Sequence, residues 1–257
     1  MKIQVIVATH KPYAMPADGM YLPVHVGAEG KGSIGFTGDN TGDNISAKNN
    51  TFCELTGLYW AWKNLDADYV GLAHYRRHFG GKRRSKDPME RVLSTAEAEK
   101  LLADHEAILP KKRNYYIETL YSHYAHTCYV EPLDIAGEIL RETHPEYAEA
   151  FERLKTRKKG HMFNMMILRR DKLDAYCSFL FPLLFELEKR VDASQFDGFH
   201  ARFFGRVSEL MLDVWMEQNP VDYVEVPVLS PEPVNWWKKG TSFLLAKFTG
   251  KKYGKSF

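Results

Sequence analysis

Apolar positions recur along the chain with two different periods, and the switches between them predict an alternating α/β order. Lys2 to Ala8 (KIQVIVA) is a β-branched run too short for a helix and closed by Lys11-Pro12, which predicts a buried opening strand. From Pro12 to Asn50 no apolar period survives; Gly, Asp and Asn accumulate in FTGDNTGDNISAKNN, which predicts one long loop. Thr51 and Glu54 have capping-box spacing and would open a helix to Asn64 with Leu55, Leu58, Trp62 and Leu65 on one face. Asp68 to Ala73 predicts a second buried strand, whose end delivers HYRRHF, residues 74 to 79. Ser94 and Glu97 form another capping box for a helix to about His105, followed by a short strand from Ala107 to Leu109. Three helical segments, Glu118 to Tyr129, Leu133 to Arg141 and Glu146 to Lys155, are divided by Pro132 and Pro145. Then follow a strand from Phe163 to Leu168, a long helix from Lys172 to Arg190 despite Pro182, a helix from Phe199 to Glu217, and a strand from Tyr223 to Val228.

Composition narrows this picture. The 257 residues, 44% hydrophobic and 26% charged, exclude disorder, collagen and coiled coil and suit one large domain or two small ones. Cys53, Cys128 and Cys177 are odd in number, widely spaced and without a CxxC pair, so they predict buried thiols in a reducing compartment. No run approaches the ~18 apolar residues of a membrane-spanning helix, and the start lacks signal-peptide features. A cytoplasmic location is therefore expected. The net charge of +2 is too balanced for a nucleic-acid coat protein, and the basic stretch from Arg76 to Arg91 lacks interleaved aromatic residues, so no nucleic-acid partner is expected.

The strongest chemical constellation is HYRR at the end of a strand. His74, Tyr75, Arg76 and Arg77 offer many fixed donors to phosphate oxygens, and ligands of open α/β sheets bind outside the carboxyl ends of strands. A basic surface turn accounts for the same residues. In GDNTGDNISAKNN, Asp43, Asn44 and Lys48 could hold an anion or sugar hydroxyls, while Asp39, Asn40, Asp43 and Asn44 could bind a cation; plain turn chemistry explains them as well. The pairs His74/His78 and His123/His126 do not make a zinc site, because no HExxH accompanies them. His161 and Asn164 flank an apolar strand, where a carboxamide could recognise hydroxyl groups. Arg206 and Glu209 lie three residues apart on one helix, either as a surface ion pair or as a carboxylate base oriented by arginine; Asp197 competes for the base role.

VIVATHK, DNISAKNNTFCELTGLYWAWKN, DYVGLAHYRRHF, HMFNMMILRR and GRVSELMLDVW together resemble a bacterial capsular and exopolysaccharide glycosyltransferase family first catalogued as a domain of unknown function, over about residues 1 to 230. The resemblance implies a GT-A-like, Rossmann-related mixed sheet flanked by helices, in a single domain over residues 1 to 234. It implies transfer of a sugar, galactofuranose for some members, from a nucleotide sugar such as a UDP-sugar to a surface-polysaccharide or lipid-linked glycan acceptor. A non-catalytic carbohydrate-binding or scaffold protein of the same assembly is the competing reading. Donor contacts would fall on Thr9, His10, Asp43, Asn44, Lys48, His74, Arg76 and Arg77, acceptor contacts on His161, Asn164 and Arg206, and catalysis on Glu209 or Asp197 with inversion. GT-A enzymes commonly hold manganese or magnesium on an Asp-x-Asp motif; here that place carries Ala73-His74-Tyr75-Arg76, which leaves metal use open. The segment 235 to 257, with six lysines, large apolar residues and no acid, suits peripheral contact with the anionic inner face of a plasma membrane.

Overall fold

A computed structural model of the protein describes residues 1–232; the basic tail singled out above lies outside the described residues. The chain order is β1 (Ile3–Thr9), β2 (Tyr21–His25), β3 (Thr37–Gly38), α1 (Asn49–Phe52), α2 (Leu55–Asn64), β4 (Tyr69–His74), β5 (His78–Phe79) and α3 (Thr95–Leu102). It continues through β6 (Ala107–Pro110), β7 (Arg113–Asn114), α4 (Leu120–Thr127), α5 (Glu131–Thr143), α6 (Ala148–Thr156), β8 (Lys159–Gly160) and β9 (Met166–Arg169). It closes with α7 (Arg170–Arg190), α8 (Phe203–Gln218), β10 (Tyr223–Val226) and β11 (Val228–Leu229).

Among the described residues a seven-stranded sheet runs in the order β10-β6-β9-β4-β1-β2-β3. Every neighbouring pair is parallel except those of β9, which runs antiparallel to both β4 and β6. The α/β mixed sheet flanked by helices is the fold class expected from the sequence. β1 is buried along nearly its whole length, so its side chains feed both faces. Ile6 and Ala8 pack with α2, α5, α7 and α8, while Val5 and Val7 pack with Ile108, Ile167 and Leu102 of α3 on the other face. Gly71 of β4 permits the close approach of β9: a Cβ there would lie 2.7 Å from the Met166 carbonyl oxygen.

Two expectations need correction. The stretch from Pro12 to Asn50 is not one loop, because β2 and β3 extend the sheet within it. Pro23 hides β2, and it is tolerated because β3 pairs only with Val24 and His25 and leaves the edge beside Pro23 open. The Thr51/Glu54 capping box does not form. Cys53 takes φ +53° and divides the helix into α1 and α2, the Thr51 hydroxyl donates to the Lys48 carbonyl (3.2 Å), and Glu54 turns elsewhere. The Ser94/Glu97 box forms as expected, and a further box, Thr119 with Ser122, starts α4 two residues after Glu118. The strand expected from Phe163 begins at Met166, because Phe163 (φ +75°) and Asn164 (φ +54°) adopt left-handed backbone.

Candidate active site at the strand ends

β1 leads outward to β2 on one side and pairs with β4 on the other, so the chain leaves the sheet in opposite directions from these two parallel neighbours. Their carboxyl ends bound a crevice of the kind in which open α/β sheets place ligands. Thr9 ends β1 and His74 ends β4. The Thr9 hydroxyl donates to the Lys11 carbonyl (2.6 Å) and turns the chain, which exposes His10.

The outer part of this crevice is aromatic and basic. Tyr75 meets His10 edge-on at 5.4 Å and Tyr13 at 5.0 Å, with Lys11 5.5 Å and Arg76 5.6 Å from its ring centre. Tyr13 is held in turn by a 2.6 Å hydrogen bond to Glu232. Burial, and then the positive charges of Lys11, Arg202, Arg76 and Lys31, lower the His10 pKa. So many cations around one imidazole form a field suited to a polyanion.

Deeper in, two carboxylates meet three guanidinium groups. Burial first, and the negative charge of Glu54 second, push Glu209 up to about 7, against the opposing pull of Arg77, Arg206 and Arg113. Arg77 is drawn below its usual value by burial, with Arg76 and Arg113 adding to the effect and Glu209 and Glu54 opposing it. Its guanidinium also covers the Phe163 ring at 4.6 Å. Arg206 is near Glu209 and donates to the Cys128 sulfur (2.8 Å) and the Phe199 carbonyl (3.1 Å). Asn164 donates to Glu54 (2.7 Å) and to the Gly205 carbonyl (2.9 Å), while its own Oδ1 is buried and has no partner among the described residues.

The remaining sequence-derived candidates lie apart from this group. Asp43 and Asn44 border the far end of α2, where Asn64 and Tyr59 bind Asp43; that end is ~15 Å of helix from Glu54. Lys48 pairs with Glu188 of α7 at 2.7 Å. Asp39, weighed as a cation ligand, is fully buried and accepts from the Gly27 and Ala28 amides and the Ser46 and Thr56 hydroxyls. His161 has both ring nitrogens engaged, with Asp213 (2.6 Å) and Glu225 (3.1 Å), and leaves none for a ligand. Asp197 is exposed and caps the turn before α8; its hydrogen bonds to the His200 ring and amide pull it down to about 2. His123 and His126 both engage the buried Glu118 rather than a metal.

Glu54, Arg113, Tyr13 and Lys11 border this crevice without having stood among the sequence-derived candidates, and Arg202, which shares a basic helical stretch with Arg206 and Glu209 in the sequence, joins them. Glu54 stands in a capping motif that explains it without a site, and Arg113 carries no local signal. A GT-A resemblance implies a divalent ion, yet among the described residues no group of three or more His, Cys, Asp or Glu side chains is placed to hold one. The acidic pair at the crevice is already faced by three arginines, which would repel a cation. These residues do not fit a resident divalent metal.

Residues 4–220 match the family described as a domain of unknown function, DUF4422. The chain belongs to the DUF4422 family. The apo structure of WbbM, a bifunctional glycosyltransferase, superposes on this DUF4422 chain with a TM-score of 0.83 at 27% identity. The match covers 90% of the present chain and 45% of WbbM, so the chain spans less than half the length of that protein. The mixed sheet is therefore a fold that occurs in a glycosyltransferase. No functionally curated protein matches the chain.

Proposed function

We propose that this DUF4422 protein is a glycosyltransferase that moves a sugar from a nucleoside-diphosphate sugar to a hydroxyl of a growing surface glycan. The observation that carries the reading is Glu209: a carboxyl poised near neutrality beside arginines, in the crevice at the ends of β1 and β4. A base is most effective when its pKa lies near the working pH, because it is then both available and strong. Asp197, held at about 2, is too weak a base for the same task.

In this scheme the uracil of a UDP-sugar packs on the Tyr75 and Tyr13 rings, and Arg76, Arg77 and Arg202 receive the diphosphate. Glu209 takes the proton from the acceptor hydroxyl as its oxygen bonds to the anomeric carbon. The bond from that carbon to the phosphate oxygen breaks, and the nucleoside diphosphate departs with the electron pair onto the arginines. One displacement inverts the anomeric centre. The unpartnered Asn164 Oδ1 is available to accept a hydrogen bond from a sugar hydroxyl. Galactofuranose as the donor sugar and a lipid-linked acceptor at a membrane surface remain the finer parts of this proposal.

The test is release of nucleoside diphosphate across a panel of nucleotide sugars, with a polysaccharide fragment as acceptor. Acceptor-dependent release that survives EDTA and falls about 10²-fold in Arg76→Ala is expected. Activity abolished by EDTA and restored by manganese, with Arg76→Ala fully active, would overturn the roles given to the arginines.

A further inference from the structure

Glu54 sits at the break between α1 and α2, where α2 begins without a side-chain cap. Its carboxylate is fixed by the Asn164 amide nitrogen, which also donates to the Gly205 carbonyl. Both partners accept, so the amide can only be oriented with its nitrogen toward them. Asn164 reaches this position through two successive left-handed residues, Phe163 and Asn164, a conformation that side chains other than glycine adopt only when surroundings impose it. Gly205 completes the arrangement, since a Cβ there would lie 3.8 Å from Glu54 Oε1. Residues 205 and 209 are one turn apart on α8 and share a face. The Glu54 carboxylate therefore lies against the helix face that carries Glu209.

The charges around the pair come from several elements. Arg77 follows β4, Arg113 belongs to β7, and Arg206 is on α8 itself; all three act on Glu209. His74 at the end of β4 acts with Glu54, while Cys53 senses both carboxylates together with Arg202 and Arg206. The phenols of Tyr115 and Tyr124 also feel Glu209. With the guanidinium groups present in either case, Glu54 is the negative charge that opposes ionisation of Glu209.

We propose that Glu54, clamped by Asn164, is a positioning carboxylate that holds a second negative charge against the face of α8 from which Glu209 meets the acceptor. The proposal deepens the transferase reading and rests on it for its consequence, since a second carboxylate close by favours the protonated form of Glu209. A proton taken from an acceptor hydroxyl is accepted by Glu209 because ionising both groups together is unfavourable. Asn164 donates to the Glu54 carboxylate and so holds that group in place beside the face that carries Glu209.

The experiment is a pH titration of the protein with ¹³C-labelled glutamate carboxyls, with Glu209 assigned through the resonance lost in Glu209→Gln. In Glu54→Gln the Glu209 midpoint should fall by about one pH unit, and the acidic limb of kcat/KM should move down with it. Asn164→Ala, which keeps both carboxyls, should move the midpoint the same way, and Glu54→Asp should restore part of the shift. A Glu209 midpoint unmoved in every variant that retains its cooperative melting overturns the proposal, whatever Glu54 contributes to the fold. Coupled titration without donor turnover would sink the transferase reading and leave the pair; turnover with an unmoved limb would do the reverse.

Discussion

At the scale of single residues, the candidate site is a case of chemistry set against stability. Glu209 binds its proton more tightly in the folded chain than a free carboxyl does, with a folded value of about 7 against an ordinary 4.5. Between those values the folded state holds more protons than the unfolded one, so stability must fall as pH rises from about 4.5 to 7. Asp197 acts in the opposite sense: its depressed value contributes stability above the ordinary 3.8, and that is lost as pH falls toward 2. Glu209→Gln should therefore melt higher than the wild type at pH 8 and show a flatter decline of Tm from pH 5 to 8. A parallel pair of Tm curves would contradict the burial and crowding assigned to Glu209. Both residues were visible in the sequence as candidates, but the choice between them was not. That choice depends on Glu54 and Arg77 reaching one and solvent reaching the other, and spacing along a chain encodes neither.

At the scale of elements, the segment from β2 to α2 is organised by one carboxylate. Asp39 gathers two amides and two hydroxyls from Gly27, Ala28, Ser46 and Thr56, and so fastens the edge of the sheet to the helix that delivers Glu54. Asp39→Asn, which replaces one accepting oxygen with an NH2 donor and sets it against two of the four donors, should cost about 2–3 kcal/mol and be read as a lowered midpoint in urea with an unchanged slope. A midpoint within error of the wild type would remove Asp39 from this role. The same segment marks where the sequence was hardest to read. β1 and β4 were legible because strands buried on both faces are continuous apolar runs, and α7 because its period continues through Pro182. β2 was not, because Pro23 and flanking glycines imitate a loop, and its pairing with β1 is a tertiary fact. The two capping boxes differ for a similar reason. Glu97 gives one oxygen to the Lys82 amide and still keeps the other on Ser94, whereas Glu54 is taken by Asn164, 110 residues away.

At the scale of the whole molecule, the nearly neutral total of +2 is an average over unlike regions. Positive charge gathers at one end of the sheet, where His10 feels Lys11, Arg202, Arg76 and Lys31, and the carboxylates that balance it lie deeper, at Glu54 and Glu209. The proposed transfer would use this layout, with cations where a diphosphate leaves and a base where a hydroxyl arrives. The fold class and the strand-end motif were readable from residues 1 to 79, while Arg113 and Arg202 joined the crevice only through folding of the middle and last thirds of the chain. The most direct measurement is single-turnover transfer from a saturating nucleotide sugar, comparing wild type with Glu209→Gln at pH 8 while binding of the nucleoside diphosphate is followed in parallel. The expected result is unchanged diphosphate affinity with transfer slowed by about 10²–10⁴-fold. A Glu209→Gln protein that transfers sugar at the wild-type rate would contradict the account.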